Sequence, residues 1–219
     1  MFDKISILKK KGYVPDAVLD MGAFFGTWTD RMRNLYPDAD YYLFEPIDYS
    51  ELYRFKSDQK AKVYNVLLSD KVGEVNWYQK KNCHDTMFMD RSAHFQNCDV
   101  IKRQTTDLDT LVAENNILGD AKNIFIKIDC QGAEIPILKG CTSILDRTDF
   151  IVLEMPLFGR MNEGVPDFLD HLVFMDNLGF TTYDIIDNHY INYFNMQVDV
   201  LFINKNHVFN KIVNLVNEE

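Results

Sequence analysis

The sequence predicts an α/β fold: one mostly parallel sheet with helices on both faces. Three observations predict it. Short apolar runs alternate with helix-compatible stretches, five of those runs end on or beside a carboxylate (Asp20, Glu45, Asp70, Asp129 and Glu154), and a glycine-punctuated turn, Gly22 to Gly26, follows the first. The 219 residues are the size of one such domain, and no internal repeat or linker divides them, so residues 1–219 are read as a single domain.

The elements follow in order. Phe2, Ile5 and Leu8 recur at three-residue spacing among lysines and predict an N-terminal capping helix within residues 1–13. After Pro15, Val18, Leu19 and Met21 form a buried strand with Asp20 near its end, and a helix from Thr27 to Tyr36 stops before Pro37. Tyr41 to Phe44 is the second strand, tipped by Glu45 and Pro46. A helix over 48–57 leads to a third strand, Lys62 to Leu68, ending in Ser69-Asp70, and Gly73 to Gln79 alternates as an added hairpin strand. Residues 80–100 lack periodicity and mix histidine, methionine, arginine and phenylalanine, a composition suited to a lid loop over a pocket. Thr105 to Thr106 reads as a strand end before an N-capped helix to Asn116. Asn123 to Asp129 is a strongly apolar strand, and Cys130 to Glu134 turns it into a helix reaching about Leu145. Phe150 to Leu153 is a strand ended by Glu154, and Val165 to Leu178 is a helix stopped by Gly179. Phe180 to Ile186 and Val198 to Ile203 are closing strands around an insert, Asn188 to Asn195, and a last helix covers 207–217.

The net charge of −10 argues against a surface built to neutralise phosphates, so nucleic acid is not expected as a partner. No 18-residue apolar stretch or signal-peptide core occurs, and the expected setting is the cytoplasm, with no membrane partner. Four cysteines without a Cys-x-x-Cys pair fit free thiols in a reducing compartment. Cys83, His84, His94 and Cys98 could each ligate zinc, yet their spacing matches no familiar finger, and no metal site is assigned to them.

In chain order, Asp20-Met21-Gly22-Ala23-Phe24-Phe25-Gly26, Phe44-Glu45-Pro46, Leu68-Ser69-Asp70, Thr106-Asp107-Leu108-Asp109-Thr110-Leu111 and Ile126-Lys127-Ile128-Asp129-Cys130-Gln131-Gly132-Ala133-Glu134 resemble the motifs of the FkbM family of S-adenosylmethionine-dependent methyltransferases. Ile137-Leu138-Lys139-Gly140 continues the pattern, and the resemblance runs from about Val14 to Ile203. It implies a Rossmann-like class I methyltransferase fold with seven strands, the last antiparallel. It also implies methylation of a hydroxyl on a sugar, glycan or small secondary metabolite. Two departures stand out: Gln131 occupies a position usually acidic in the family, and Phe24 and Phe25 replace a small polar and an aliphatic residue.

The residues support the same cofactor independently. Phe24 and Thr27 break the Gly-x-Gly-x-x-Gly fingerprint, which disfavours a pyrophosphate and hence a nicotinamide-dependent dehydrogenase. S-adenosylmethionine carries no phosphate. Its amino-acid end is expected at Asp20, Gly22, Ala23, Phe25 and Gly26, where free N–H groups would meet a carboxylate. Its ribose is expected at Glu45, whose two oxygens can accept from two vicinal hydroxyls, and its adenine at Ser69 and Asp70, with Asp129 also at the cofactor. A hydroxyl acceptor needs a proton sink, for which His84 and His94 in the lid are preferred and Asp129 is a third candidate. His189, in the insert, is a weaker one. Arg91, Gln131 and Glu154 are expected to contact the substrate. Two alternatives stay open: a binding module without catalysis, because of Gln131, and a metal-assisted reaction in which Asp129 and Glu154 help to hold Mg²⁺.

Overall fold

The computed structural model describes residues 1–79, 85–89, 98–158 and 162–209. α1 (Phe2–Lys10) buries Ile5 and Leu8 and leads to β1 (Ala17–Met21), buried along its whole length. α2 (Thr27–Leu35) returns the chain to β2 (Asp40–Phe44), and a 3₁₀ helix, Ser50–Phe55, takes the place of the predicted helix over 48–57. β3 (Ala61–Tyr64), β4 (Leu67–Leu68), β5 (Gly73–Gln79) and β6 (Asp99–Thr106) follow. Then come α3 (Leu108–Asn115), β7 (Ile124–Ile128), α4 (Glu134–Lys139) and a second 3₁₀ helix, Thr142–Arg147. β8 (Thr148–Pro156), α5 (Phe168–Asn177), β9 (Phe180–Ile191) and β10 (Phe194–Asn204) complete the described elements.

Seven strands form the main sheet in the order β3-β2-β1-β7-β8-β10-β9. β3, β2, β1, β7 and β8 pair in parallel, while the last strand, β10, runs antiparallel between β8 and β9. Side chains alternate across this sheet: Leu19, Ile126, Ile128 and Leu153 enter the apolar core on one face, and Val18, Phe125, Phe150 and Val152 that on the other. With both faces covered, the central strands read as continuous apolar runs. Among the described residues, no helix is long and apolar enough to cross a membrane.

Four expectations are corrected. The third strand breaks after Tyr64, where Asn65 Nδ2 donates to the Glu45 carbonyl at 3.0 Å, and its remainder, β4, joins β6 and β5 in a separate three-stranded sheet. Residues 99 and 100, assigned to the lid loop, belong to β6, which pairs antiparallel with β5. The helix after Asp129 stops at Gly140, where only glycine fits because a Cβ would lie 2.4 Å from the Ser69 carbonyl oxygen; Asp109 then holds the next stretch as a 3₁₀ turn by accepting from the N–H groups of Thr142 and Ser143. The insert 188–195 is the tip of the β9–β10 hairpin, turned by Asn192 and Tyr193, both at positive φ as a type I′ turn requires. The final helix is described only to residue 209, and the rest of that assignment lies outside the described residues.

Candidate active site

A cavity of about 460 Å³ opens at the carboxyl ends of β1, β2, β7 and β8, within the usual range for small-molecule sites. Glu45, Asp129, Gln131 and Glu154 line its polar part beside Gly22, and Phe24, Leu67, Leu68, Trp77, Met87 and Ile137 are among its apolar lining. The indole N–H of buried Trp77 has no partner among the described residues.

Gly22 is fixed by a close approach. Its φ is +76°, and a Cβ would fall 2.0 Å from the Asp129 carbonyl oxygen, so only glycine lets β1 and β7 leave the sheet this close together. The turn it opens is less free than the sequence implies. The N–H groups of Gly22 and Ala23 donate to the Phe44 carbonyl, that of Phe24 to Glu45 Oε2 at 2.9 Å, and that of Gly26 to the Ala23 carbonyl. These four N–H groups hold the turn to β2 and close it on itself instead of waiting for a carboxylate.

Glu45 lies at the tip of β2, 6% exposed. Its Oε2 accepts from Phe24 N and its Oε1 from Ile47 N at 3.0 Å, which fixes the carboxylate plane and leaves each oxygen a second lone pair. Burial raises its pKa, and the two N–H groups offset part of that rise.

Asp20 lies behind the cavity rather than on it. It is 1% exposed, accepts from Thr29 Oγ1 at 2.7 Å, and stands opposite Lys127 in the β1–β7 register. Lys127 Nζ is 3.4 Å from Asp20 Oδ1, 3.4 Å from Asp129 Oδ2 and 3.3 Å from the Gly22 carbonyl oxygen. One buried ammonium therefore ties the first helical turn, the glycine turn and the tip of β7 together. Burial alone would lower the Lys127 pKa, but Asp129 and Asp20 raise it above its ordinary value, so the ammonium keeps its proton. Burial likewise works against the Asp129 carboxylate, yet Lys127 and a hydrogen bond with Glu154 hold that group below its usual range.

The face that carries Lys127 becomes polar towards β9. Continuing the β7–β8 register one residue past Ile128 and Leu153 sets Asp129 beside Glu154, and Glu154 pairs directly with Asp199 on β10. Gln131, held at φ +52° beyond β7, donates its amide to Glu154 Oε2 at 3.1 Å and to Asp129 Oδ1 at 3.4 Å. Gln197 adds a second amide to this wall, 2.8 Å from Glu154 Oε2. Burial, then the charge of Asp129, pushes Glu154 well above the carboxylate range, so Glu154 keeps its proton while Asp129 is ionised. His189 Nε2 is 2.8 Å from Asp199 Oδ2 and 4.0 Å from Glu154 Oε1. The bond to Asp199 raises the His189 pKa.

Behind the Gln131 turn, Glu134 is 1% exposed and accepts from Cys130 N at 2.9 Å and Gly132 N at 3.3 Å. Burial pushes its pKa up to about 7. In front of the turn, Thr86 Oγ1 and Asn162 Nδ2 both donate to the Gln131 carbonyl at 2.9 Å, so residues 85–89 and the chain from Asn162 meet over it.

Of the residues expected at the site, the cavity thus brings together Gly22, Glu45, Asp129, Gln131 and Glu154. Asp20, Ala23, Phe25 and Gly26 do not line it: Ala23 is buried, Phe25 stacks on Phe24 at 3.7 Å, and a Cβ on Gly26 would meet Phe55. Ser69 and Asp70 are displaced from it too, because β4 pairs with β6 and sends Ser69 N to the Thr106 carbonyl, while Leu67 and Leu68 take the cavity wall. His84, Arg91 and His94 lie outside the described residues, as does Cys83. Lys127, Gln197, Asp199 and Trp77 are residues of the site region to which sequence reasoning gave no role.

A doubly covered parallel sheet with an antiparallel last strand, and a glycine turn and acidic strand tips around one cleft, define a class I methyltransferase fold. The chain belongs to the family of the Methyltransferase FkbM domain, whose model matches residues 20–182. No curated protein matches the chain. Among solved structures, it is similar to the methyltransferase FkbM of Methylobacillus flagellatus KT, at 15% identity and a TM-score of 0.52, covering 86% of this chain and 43% of that one. The chain thus spans less than half the length of that relative. It is also similar to the 1,6-didemethyltoxoflavin-N1-methyltransferase of Burkholderia thailandensis, a structure with bound 1,6-didemethyltoxoflavin and S-adenosylhomocysteine. There the identity is 10% and the TM-score 0.51, covering 90% of this chain and 74% of that one. An S-adenosylmethionine-dependent methyltransferase of Clostridium acetobutylicum ATCC 824 gives 9% identity and a TM-score of 0.50, covering 92% and 89%. At these identities the likeness is one of fold.

Proposed function

We propose that this chain is an S-adenosylmethionine-dependent methyltransferase acting on a hydroxyl of a sugar, glycan or small secondary metabolite. The observation that carries the reading is the pairing, in one cavity, of a pre-fixed carboxylate at the tip of β2 with an acidic and amide wall at the tips of β7 and β8. When bound, S-adenosylmethionine supplies an electrophilic methyl group on a sulfonium.

The residues present suit that group. Glu45 keeps one lone pair on each oxygen for two ribose hydroxyls, in a plane already set by Phe24 N and Ile47 N. Leu67, Leu68, Met87 and Ile137 provide an apolar slot for a flat base, and Trp77 a donor without a partner among the described residues. Asp129, ionised beside Lys127, complements a cation and can accept the hydrogen bond of a hydroxyl. Glu154 shares its proton with Asp129, and Gln131 fixes the orientation of both carboxyl groups. His84 and His94 are proposed as further proton acceptors and Arg91 as a substrate contact, on their sequence position in the stretch 80–100.

Transfer of labelled methyl from S-adenosylmethionine to a panel of sugars, glycans and small hydroxyl compounds tests the reading. Incorporation into at least one hydroxyl compound is expected. Tight binding of S-adenosylhomocysteine with no transfer to any of them would instead mark a binding module.

A further inference from the structure

Away from the proposed cofactor residues, β8, β9 and β10 bring one imidazole and two carboxyl groups to a single spot. Glu154 and Asp199 are direct cross-strand partners, and His189 enters from β9, where it pairs with Gln197 two residues before Asp199. The period-2 alternation of the strands puts all three on the same face. One ligand atom from each lies within 4.8 Å of the other two, with His189 Nε2 2.8 Å from Asp199 Oδ2 and 4.0 Å from Glu154 Oε1. Glu154 and Asp199 are each more than nine-tenths buried, while His189 is partly exposed.

A histidine–aspartate hydrogen bond forms one edge of this triangle, and Glu154 turns Oε1 towards His189 while its Oε2 takes the Gln131 and Gln197 amides. Glu154 also lines the cavity, so the triangle borders the substrate space through that residue. Two carboxyl groups and an imidazole form a ligand set for a divalent ion of the Mn²⁺ kind, which would displace the proton of Glu154 on binding.

We propose that Glu154, His189 and Asp199 form a divalent-metal site whose open positions take two adjacent oxygens of the methyl acceptor, such as a vicinal diol. The ion would hold both oxygens at the cavity edge and make one hydroxyl more acidic. The ligand triangle stands on its own geometry; the role given to the ion rests on the methyltransferase reading.

Mn²⁺ serves as the probe, since its binding is measured without a substrate. Titration of the purified full chain, followed by electron paramagnetic resonance, should give one bound Mn²⁺ with nitrogen modulation from an imidazole. His189→Gln, at a partly exposed position, should remove the nitrogen signal and weaken Mn²⁺ at least about tenfold. Asp199→Asn should weaken it as much or more, and neither change should alter S-adenosylhomocysteine affinity by more than about twofold. No Mn²⁺ binding at millimolar concentration, or unchanged affinity and nitrogen modulation in folded His189→Gln, would overturn the site. If Mn²⁺ binds as expected while S-adenosylhomocysteine does not bind at all, the metal site stands and the methyltransferase reading fails.

Discussion

Gln131 and Glu154 are joined by a 3.1 Å hydrogen bond from the Gln131 amide, and the same amide reaches Asp129 at 3.4 Å. A glutamate at position 131 would bring a third carboxyl to two that already share a buried hydrogen bond. The glutamine therefore acts here as the donor that two crowded acceptors need.

Gln131→Glu should destabilise the protein by about 1–3 kcal/mol at pH 8, the cost of a lost donor and an added like charge in a partly buried setting. The loss should shrink at pH 5, where the new carboxyl takes up a proton and donates again. Urea unfolding at the two pH values checks this; equal losses at both would show that charge at position 131 is irrelevant.

Lys127 is the second point of tension. Lys127→Met removes the cation between buried Asp20 and partly exposed Asp129 and leaves the two carboxylates without it. Breaking a buried ion pair from one side costs about 3–5 kcal/mol. A companion Asp20→Asn change should recover part of that loss by removing one of the two charges. Denaturant titration of the single and double variants is the measurement, and a single-variant loss below about 1 kcal/mol would refute the role given to this ammonium.

Glu134 gives a pH dependence of definite sign. Its folded pKa is raised from 4.5 to about 7 by burial, so the native chain holds a proton that the unfolded chain has released. Its contribution to stability is therefore full below about pH 4.5 and is lost as pH rises towards 7; a shift of this size corresponds to about 3 kcal/mol. Glu134→Gln keeps an oxygen for Cys130 N and Gly132 N but cannot ionise. Relative to the wild type, the variant should gain stability between pH 5 and 7.5, and a difference that stays flat across that interval would contradict the assignment.

Much of this arrangement is legible in the sequence because its signals are local. The apolar run before Asp20, the glycine at position 22 and the acidic tips at Glu45, Asp129 and Glu154 each lie within a few residues of the feature they announce. Lys127 reads as one polar residue in an apolar strand, and its meaning depends on register with Asp20, far away in the chain. Ser69 and Asp70 follow an apolar run as a strand tip should, but Asn65 ends the strand early by bonding to the Glu45 carbonyl. The β9–β10 hairpin left a usable signal. Asp187 and His189, like Gln197 and Asp199, alternate at the strand period on either side of Asn192-Tyr193, and the polar composition of the tip hid that period.

The central claim is that the cavity beside Glu45 binds S-adenosylmethionine through this carboxylate. Glu45→Gln converts one oxygen into a donor, and because both oxygens already accept backbone N–H groups, the change also sets an NH₂ against one of them. The protein should remain folded with a loss of about 1–3 kcal/mol, and a charge-assisted ribose bond of about 1.5–3 kcal/mol should disappear. Calorimetric titration with S-adenosylhomocysteine decides the matter. Binding to the wild type that falls at least about tenfold in folded Glu45→Gln is the predicted result. Unchanged affinity in the folded variant, or no binding to the wild type, would contradict the account.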